Sequence, residues 1–279
     1  MIRLLSIDIL FGVISSYIFA AVLLESELHL LVPLILCLAV WLVYTLDHLS
    51  DASYLGTRAV KPVYRWHWEK RRVLLAISAF LFLLALSLSL LYLPPGILLT
   101  GLAGAALLTV YLLVHSHPGR RRGYLFKEFW VGGIYTMGIW GLPVLYRNQP
   151  VQPVLVLIII SFFCLVMVNV LTYSYFEQAT DRKENLPTFA VRFGPRSCRT
   201  LITYFLVTGA MLALTGMFLA GRGRDFRAAG ILLLMSLVLS FLYIFPAYFG
   251  RKGRFGILAD AVFLLPCLIF LQADLQISF

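Results

Sequence analysis

Pairs of acidic residues four positions apart close two apolar segments of the sequence. The first pair is Asp47 and Asp51, within Tyr44-Thr45-Leu46-Asp47-His48-Leu49-Ser50-Asp51. On an α-helix, side chains at i and i+4 project from the same face. Two carboxylates one turn apart repel each other, so the pattern is stable only if a cation offsets their charge. The spacing therefore predicts a cation site at this helix end.

The second pair belongs to a longer polar stripe. Asn169, Tyr173, Glu177 and Asp181 follow one another at intervals of four residues, which places them along one side of a helix. Glu177 and Asp181 form the end of that stripe. If the two helices meet, the two acid pairs close a mouth lined by four carboxylates.

Oxygen-only ligation of this kind suits Mg²⁺, which keeps several waters and is commonly completed by substrate phosphates. Basic residues beyond each pair could hold the phosphate oxygens directly, namely Arg58, Lys61, Arg65, Arg182 and Lys183. An apolar interior beneath the mouth would accept a hydrocarbon chain. The residues therefore favour a lipid diphosphate as the ligand, with its headgroup on metal.

The elements that position these residues must be membrane helices. The 279 residues are 61% hydrophobic and only 13% charged, against about 25% charged in an ordinary soluble domain. Nine windows are long and apolar enough to cross a bilayer as helices: 6–24, 29–49, 73–93, 95–115, 126–146, 152–176, 200–220, 227–249 and 256–275. We predict an all-α polytopic membrane protein with nine transmembrane helices, forming a single domain over residues 1–279.

The net charge of +10 indicates orientation rather than nucleic-acid binding. With the N-terminus inside, nineteen of the 23 Lys and Arg residues fall on the cytoplasmic side, as the positive-inside rule requires. After nine crossings the C-terminus lies outside. The basic loops could meet anionic membrane lipids, whereas no stripe or reading helix for nucleic acid is present.

The two inner connections that follow the acid pairs are long. Residues 50–72 and 177–199 separate the predicted spans by about 22 residues each, which is unusual in a compact domain unless the connection has a function. We therefore expect two functional links on the cytoplasmic side. Asp8 and Asp260 lie inside predicted spans, where each is either hydrogen-bonded within the bundle or lines a cavity.

The combination resembles the UbiA-type intramembrane prenyltransferase superfamily. That family has two aspartate-rich motifs, N-D-x-x-D-x-x-x-D after helix 2 and D-x-x-x-D after helix 6. Asp181 matches the second acid of the second motif, Glu177 stands in place of its first Asp, and the segment 188–194 is similar to its T-x-x-V-R-x-G tail. Asp47 and Asp51 match the last two acids of the first motif, whereas Val43 and Tyr44 stand where the family has Asn and Asp.

The resemblance implies a Mg²⁺-dependent prenyltransferase. A polyprenyl diphosphate would ionise on metal held by Asp47, Asp51, Glu177 and Asp181, and an aromatic or lipid acceptor would capture the allylic cation. Residues expected to contact substrate are those beside the acid pairs: Tyr44, Arg58, Lys61, Arg65, Lys127, Asn169, Tyr173, Arg182 and Lys183. The prenyl length, the acceptor and the oligomeric state are not readable from the sequence.

Two other functions remain open at the level of sequence. Tyr44, Glu177 and the intramembrane acids are also compatible with a transporter or lipid-binding protein that uses the same fold without chemistry. The two hypotheses differ in geometry, because the enzyme requires the four acids to converge within metal-bridging reach. A phosphatidyl-group transferase is a weaker alternative, since its D-G-x-x-A-R type of segment does not occur in the sequence.

Overall fold

Helices form every regular element in the part of the chain that the structure describes. This computed structural model describes residues 5–26, 31–115, 127–147, 150 and 152–272. Both chain ends, on which the predicted orientation depends, lie outside these ranges, and so does the basic stretch Arg120–Arg122. The orientation therefore stays a prediction.

Ten α-helices follow one another, and the last continues into a 3₁₀ helix at Val262–Gln272. Their bounds are α1 Ile7–Leu23, α2 Leu31–Leu55, α3 Pro62–Tyr92, α4 Pro95–His115, α5 Lys127–Leu145, α6 Pro153–Lys183, α7 Phe189–Ala220, α8 Arg224–Ile244, α9 Pro246–Gly250 and α10 Arg254–Ala261. Pro62, Pro95, Pro153 and Pro246 open four of them, where the missing N–H of proline costs no helical hydrogen bond.

Helix α6 forms the centre of the bundle and packs against α5, α7, α8 and α10. Its side chains Phe162, Leu165 and Met167 are fully buried. The contact with α7 is close because Gly209 has no side chain: a Cβ there would lie 3.1 Å from the Cβ of Cys164. Ser161 Oγ donates a hydrogen bond of 2.8 Å to the Gly209 carbonyl at the same crossing. The polar stripe thus sits on the most firmly packed helix.

The outward faces of the bundle are apolar. Phe80, Leu83, Leu91 and Leu99 are each at least 60% exposed, an arrangement that water would penalise and lipid would not. Six described helices are long and apolar enough to cross a membrane: α2 with its following turn, α3, α4, α6, α7 and α8. These features indicate an integral membrane protein.

Helical segments also occupy the other three predicted windows. They are α1, α5 and the segment that runs from α10 through the 3₁₀ helix. Not all of them meet the length and hydropathy of a full span, so the count of nine transmembrane helices is not confirmed.

The prediction of two long inner links was wrong. Helix α3 begins at Pro62, eleven residues before its apolar window, and α6 continues to Lys183. What separates the helices is a short turn in each case, residues 56–61 after α2 and residues 184–188 after α6. Polar residues continue a helix past the end of its apolar stretch, because hydropathy marks where lipid contact ends and not where hydrogen bonding ends.

A bend near the start of α7 directs its first turn toward α6. Gly194 has φ +85° and ψ 158° within the helix, a conformation that favours glycine over other residues. Pro195 follows it and lacks the N–H that a straight helix would need. The short segment before the bend carries the backbone N–H groups that face the site described next.

Candidate active site

The second acid pair, Glu177 and Asp181, is called the α6 pair from here on, and one lysine binds both of its members. Lys61 lies in the turn between α2 and α3. Its ammonium donates a hydrogen bond to Glu177 Oε2 and lies 2.6 Å from Asp181 Oδ1. The side chain of Lys61 is 12% exposed and that of Asp181 only 2%. A cation therefore sits between these carboxylates in a largely desolvated position.

The charge of Lys61 is stable at neutral pH. Burial disfavours the charged lysine, but the carboxylates of Glu177 and Asp181 outweigh burial and raise the pKa of Lys61 above its ordinary value. A raised pKa means that the charged lysine contributes to stability below the ordinary lysine pKa for as long as its carboxylate partners stay ionised. That contribution is lost as the pH rises through the raised value.

A buried carboxylate fixes the backbone that carries Lys61. Glu184, 3% exposed, follows the last residue of α6. Its Oε1 accepts hydrogen bonds from the backbone N–H groups of Val60 and Lys61, at 2.6 Å and 2.9 Å. Hydrogen bonds to a charged acceptor are stronger than neutral ones. Glu184 therefore joins the turn after α6 to the turn after α2.

Asp47 and Asp51, the α2 pair, lie on α2. Both carboxylate oxygens of Asp47 accept hydrogen bonds from Lys127 Nζ, at 2.8 Å and 2.9 Å. Lys127 is 33% and Asp47 28% exposed, whereas Asp51 is 7% exposed. Asp47 is thus held by the first residue of α5.

The next residue of α5 contacts the start of α7. Glu128 is 7% exposed, and its Oε1 accepts a 2.6 Å hydrogen bond from the backbone N–H of Phe189, the first residue of α7. The first turn of a helix presents unsatisfied N–H groups and a partial positive charge, so a carboxylate is stabilising there. Lys127 and Glu128 together connect α5 to α2 and α7.

All four carboxylates and both lysines line one cavity of about 1260 Å³. Below them the walls are mostly apolar and come from α2, α3, α4 and α5, with Leu86, Ile97, Leu108, Met137 and Gly138 among the lining residues. The structure thus brings together the two motifs that the sequence predicted to meet. It also places an apolar chamber beneath them, large enough for a long hydrocarbon chain.

A polar cluster lies deeper in the same cavity. Tyr173 donates a hydrogen bond to Asp260 Oδ2. Asn169 Nδ2 donates to the Ala259 carbonyl at 2.6 Å and lies 3.5 Å from Asp260 Oδ1. Tyr44, Asn169, Tyr173 and Asp260 all line the cavity. Asp260 therefore shows both properties between which the sequence left a choice, because it is hydrogen-bonded within the bundle and faces the cavity.

Four predicted phosphate-binding residues lie elsewhere. Arg58, Arg65, Arg182 and Lys183 are exposed and are not among the residues that line the cavity. Arg58 and Arg65 instead donate to the backbone carbonyls of Tyr54 and Ala59, at 3.5 Å and 3.3 Å. Their contact with a diphosphate stays a prediction, whereas Lys61 and Lys127 are already at the cavity.

Glu128 and Glu184 were not predicted from the sequence. Each acts on backbone N–H groups of a segment distant in the chain, 61 and 124 residues away. No short motif encodes such a contact. The one available signal was the position of Glu184, an acid three residues beyond Asp181 of the α6 pair.

The donor chemistry of the cavity fits Mg²⁺. Within the described ranges, no group of three or more His, Cys, Asp or Glu residues is placed to hold a metal ion. Mg²⁺ does not need such a group, since one or two carboxylates with waters and substrate phosphates commonly suffice. The α6 pair already holds a cation, the Lys61 ammonium, between its oxygens. The four acids therefore line one cavity, but the described residues do not converge into the single metal-bridging group that the sequence hypothesis required. Mg²⁺ bound at the α6 pair would displace the Lys61 ammonium.

The fold is shared with solved structures of UbiA homologues. One from Archaeoglobus fulgidus, bound to DMAPP and Mg²⁺, superposes with a TM-score of 0.66 at 14% identity, covering 96% of this chain and 98% of the other. An apo UbiA homologue from Aeropyrum pernix K1 gives 0.64 at 17% identity, with 94% and 96% covered. The A. fulgidus homologue bound to GPP and Mg²⁺ gives 0.56 at 14% identity, with 96% and 98% covered.

No protein family model matches the sequence, and no curated protein matches it significantly. The protein therefore has a UbiA-type fold over nearly its whole length, and its sequence has diverged far from those structures.

Proposed function

We propose that the protein is a Mg²⁺-dependent intramembrane prenyltransferase, which moves a prenyl group from a polyprenyl diphosphate to an aromatic or lipid acceptor. One observation carries the proposal: both acid pairs, with Lys61 and Lys127, line the polar end of one cavity whose other walls are mostly apolar. This change from a charged end to apolar walls matches a substrate in which a diphosphate is joined to a hydrocarbon chain. Two of the structural neighbours hold prenyl diphosphates and Mg²⁺, which supports the same assignment.

The residues of the chain have distinct roles in this proposal. Asp47, Asp51, Glu177 and Asp181 would hold Mg²⁺, which stabilises the charge of the leaving diphosphate. Lys61 and Lys127 would hold diphosphate oxygens as the substrate binds. The apolar walls exclude water from the allylic cation, and the ring of Tyr44 would face that cation in the cavity.

Activity with a labelled substrate tests the proposal. Purified protein would be incubated with geranyl diphosphate and longer prenyl diphosphates, Mg²⁺ and a panel of aromatic and lipid acceptors, followed by mass spectrometry of the products. We expect diphosphate release that EDTA abolishes and that Asp51→Ala and Asp181→Ala reduce. Glu69→Ala, on the exposed surface of α3, is the control. Absence of release at every chain length, or release unchanged in both Asp variants, would contradict the proposal.

The alternative is a transporter or lipid-binding protein with the same fold. The lysine ion pairs favour it, because Lys61 and Lys127 already neutralise carboxylates that a metal would otherwise occupy. This function predicts that prenyl lipids copurify and are visible by native mass spectrometry, with no covalent product formed. Metal-dependent diphosphate release would exclude it.

A further inference from the structure

The deep polar cluster formed by Asn169, Tyr173 and Asp260, here called the Asp260 site, is given no part in metal binding by the proposed function. Asp260 is in the last turn of α10, among apolar helices, where a carboxylate is costly and is commonly functional. Its partner Tyr173 lies four residues before Glu177 on α6. Four residues correspond to about 6 Å along a helix axis. The Asp260 site therefore lies about 6 Å farther along α6 than Glu177.

The site is held firmly against α6. The ring of Phe255 on α10 stacks on Phe176 with centroids 4.7 Å apart, and it meets Tyr173 edge-on at 5.4 Å. Asn169 anchors the end of α10 through its 2.6 Å hydrogen bond to the Ala259 carbonyl. Aromatic contacts and a hydrogen bond to the backbone thus fix Asp260 and the Tyr173 hydroxyl relative to each other.

A small cavity of about 30 Å³ lies beside Asp260, lined in part by Tyr44, Tyr135 and Asn169. Its size and polar lining suit one water molecule. A water molecule in this cavity could hydrogen-bond to Asp260 whether the carboxyl group is ionised or protonated. The Asp260 site is therefore equipped for proton transfer within an otherwise apolar chamber.

With the diphosphate group of the substrate held at the acid pairs, C1 of the prenyl chain would lie farther inside the cavity, toward the Asp260 site. We propose that Tyr173 and Asp260 accept the proton of an acceptor that attacks through a hydroxyl group, an inference that rests on the proposed prenyltransferase function. The bond between C1 of the prenyl group and the diphosphate oxygen breaks, and its electron pair leaves with diphosphate. The acceptor oxygen bonds to C1. Its proton passes to the Tyr173 oxygen as the proton of Tyr173 passes to Asp260.

A comparison of azide with hydroxyl nucleophiles distinguishes a role of Asp260 in proton transfer from a purely structural role. Azide carries no proton and needs no base, whereas water and phenol must lose a proton when they capture the prenyl cation. Wild-type protein with geranyl diphosphate and Mg²⁺ should form geranyl azide from azide, geraniol from water and geranyl phenyl ether from phenol. In Asp260→Asn we expect the oxygen products to fall on the order of 100-fold, the lower range for a general base, with azide capture close to wild type.

Two further variants sharpen the test. Tyr173→Phe should shift the product ratio in the same direction, because it removes the hydroxyl between acceptor and carboxylate. Asp8→Asn removes another carboxylate that lines the cavity and should leave the ratio unchanged. Equal loss of azide and oxygen products in Asp260→Asn, unchanged oxygen products, or a wild type that forms the azide alone would each overturn the inference. A wild type that neither forms the azide nor releases diphosphate would instead contradict the proposed function itself.

Discussion

The two acid pairs share a spacing and a cavity but differ in how their charge is balanced. In the α6 pair, one lysine binds both carboxylates, and a buried glutamate holds the backbone of that lysine. In the α2 pair, Lys127 contacts Asp47 from the start of another helix. Each pair has one buried acid, Asp181 or Asp51, and one that is about a third exposed, Glu177 or Asp47. What differs is the lysine, which is 12% exposed in the α6 pair and 33% exposed in the α2 pair.

The difference matches the pattern of the motifs. The α6 side keeps its acid pair and the tail that follows it, whereas Tyr44 stands in place of an acid on the α2 side. The cation of the α6 pair, Lys61, is the more buried of the two and contacts both acids of its pair. The following predictions test this contrast, beginning with the largest effect.

Removing the buried acid that contacts Lys61 should have the greatest effect on activity. Asp181→Ala deletes a 2% exposed carboxylate and should lower diphosphate release at least about 100-fold, since one electrostatic contact in a desolvated site commonly contributes that much. Asp47→Ala deletes a 28% exposed carboxylate that contacts Lys127 and should lower it less. Rates measured with saturating Mg²⁺ and geranyl diphosphate compare the two. A greater loss in Asp47→Ala would reverse the proposed contrast.

The two lysines should differ in their effect on stability. Lys61→Met leaves two carboxylates one turn apart without their cation and should destabilise the protein by about 3–5 kcal/mol, the range for breaking a buried ion pair. Lys127→Met breaks the ion pair with Asp47, in which both side chains are about a third exposed, and should lower the free energy of unfolding by about 1 kcal/mol or less. Thermal unfolding in detergent measures both, with Lys70→Met on the exposed surface of α3 as control.

The same variants report on metal binding without an activity assay. If lysine and Mg²⁺ compete for the same carboxylates, Mg²⁺ should raise the melting temperature of Lys61→Met more than that of the wild type. The corresponding gain in Lys127→Met should be smaller. An identical response of all three proteins would mean that Lys61 does not occupy a metal position.

Glu184 should act on substrate binding through Lys61. In Glu184→Gln the charged acceptor for the Val60 and Lys61 N–H groups is lost, and we expect the KM for the prenyl diphosphate to rise on the order of 10-fold, as for partners that orient a ligand. The value of kcat should change less. Glu69→Gln, on the exposed surface of α3, is the matched control. Loss of kcat with an unchanged KM would argue against a positioning role.

The smallest effect is expected when the missing acid is restored. Tyr44→Asp adds a carboxylate beside the α2 pair and should lower the Mg²⁺ concentration for half-maximal activity by roughly threefold, because affinity for a hard cation follows the charge of its ligands. Tyr44→Asn adds an uncharged oxygen ligand of similar size and should not produce this change. Titrations of activity with Mg²⁺ distinguish the two.

The sequence was sufficient to predict the acid pairs, their common cavity and two of the basic residues there. Those predictions hold because helical periodicity and the cost of charge in a membrane restrict where Asp47, Glu177 and Lys61 lie. Helix ends were predicted poorly. Helix α3 begins before its apolar window and includes Arg65 and Lys70, because Arg and Lys have helix propensities as high as those of most apolar residues.

Long-range contacts to the backbone were not predictable. Glu128 and Glu184 bind N–H groups far away in the chain, and only the packing of helices decides which backbone they meet. The exposed positions of Arg58 and Arg182 have a related origin. Arg58 ends the short turn after α2 and Arg182 lies in the last turn of α6, so regular structure and not a long flexible link sets the direction of each side chain. The fold, in contrast, follows from the apolar windows and is shared with the UbiA homologues.

The lysine held between Glu177 and Asp181 supplies the counter-ion of these carboxylates from within the chain. In the proposed enzyme, Mg²⁺ arriving with a diphosphate would take the place of the ammonium at the carboxylates, and the released ammonium would be available to the incoming anion. Because the ammonium stays tethered in the cavity, the net charge there would change only by the charge of the metal–diphosphate complex. A complex of one Mg²⁺ with one diphosphate would alter that charge far less than the diphosphate alone.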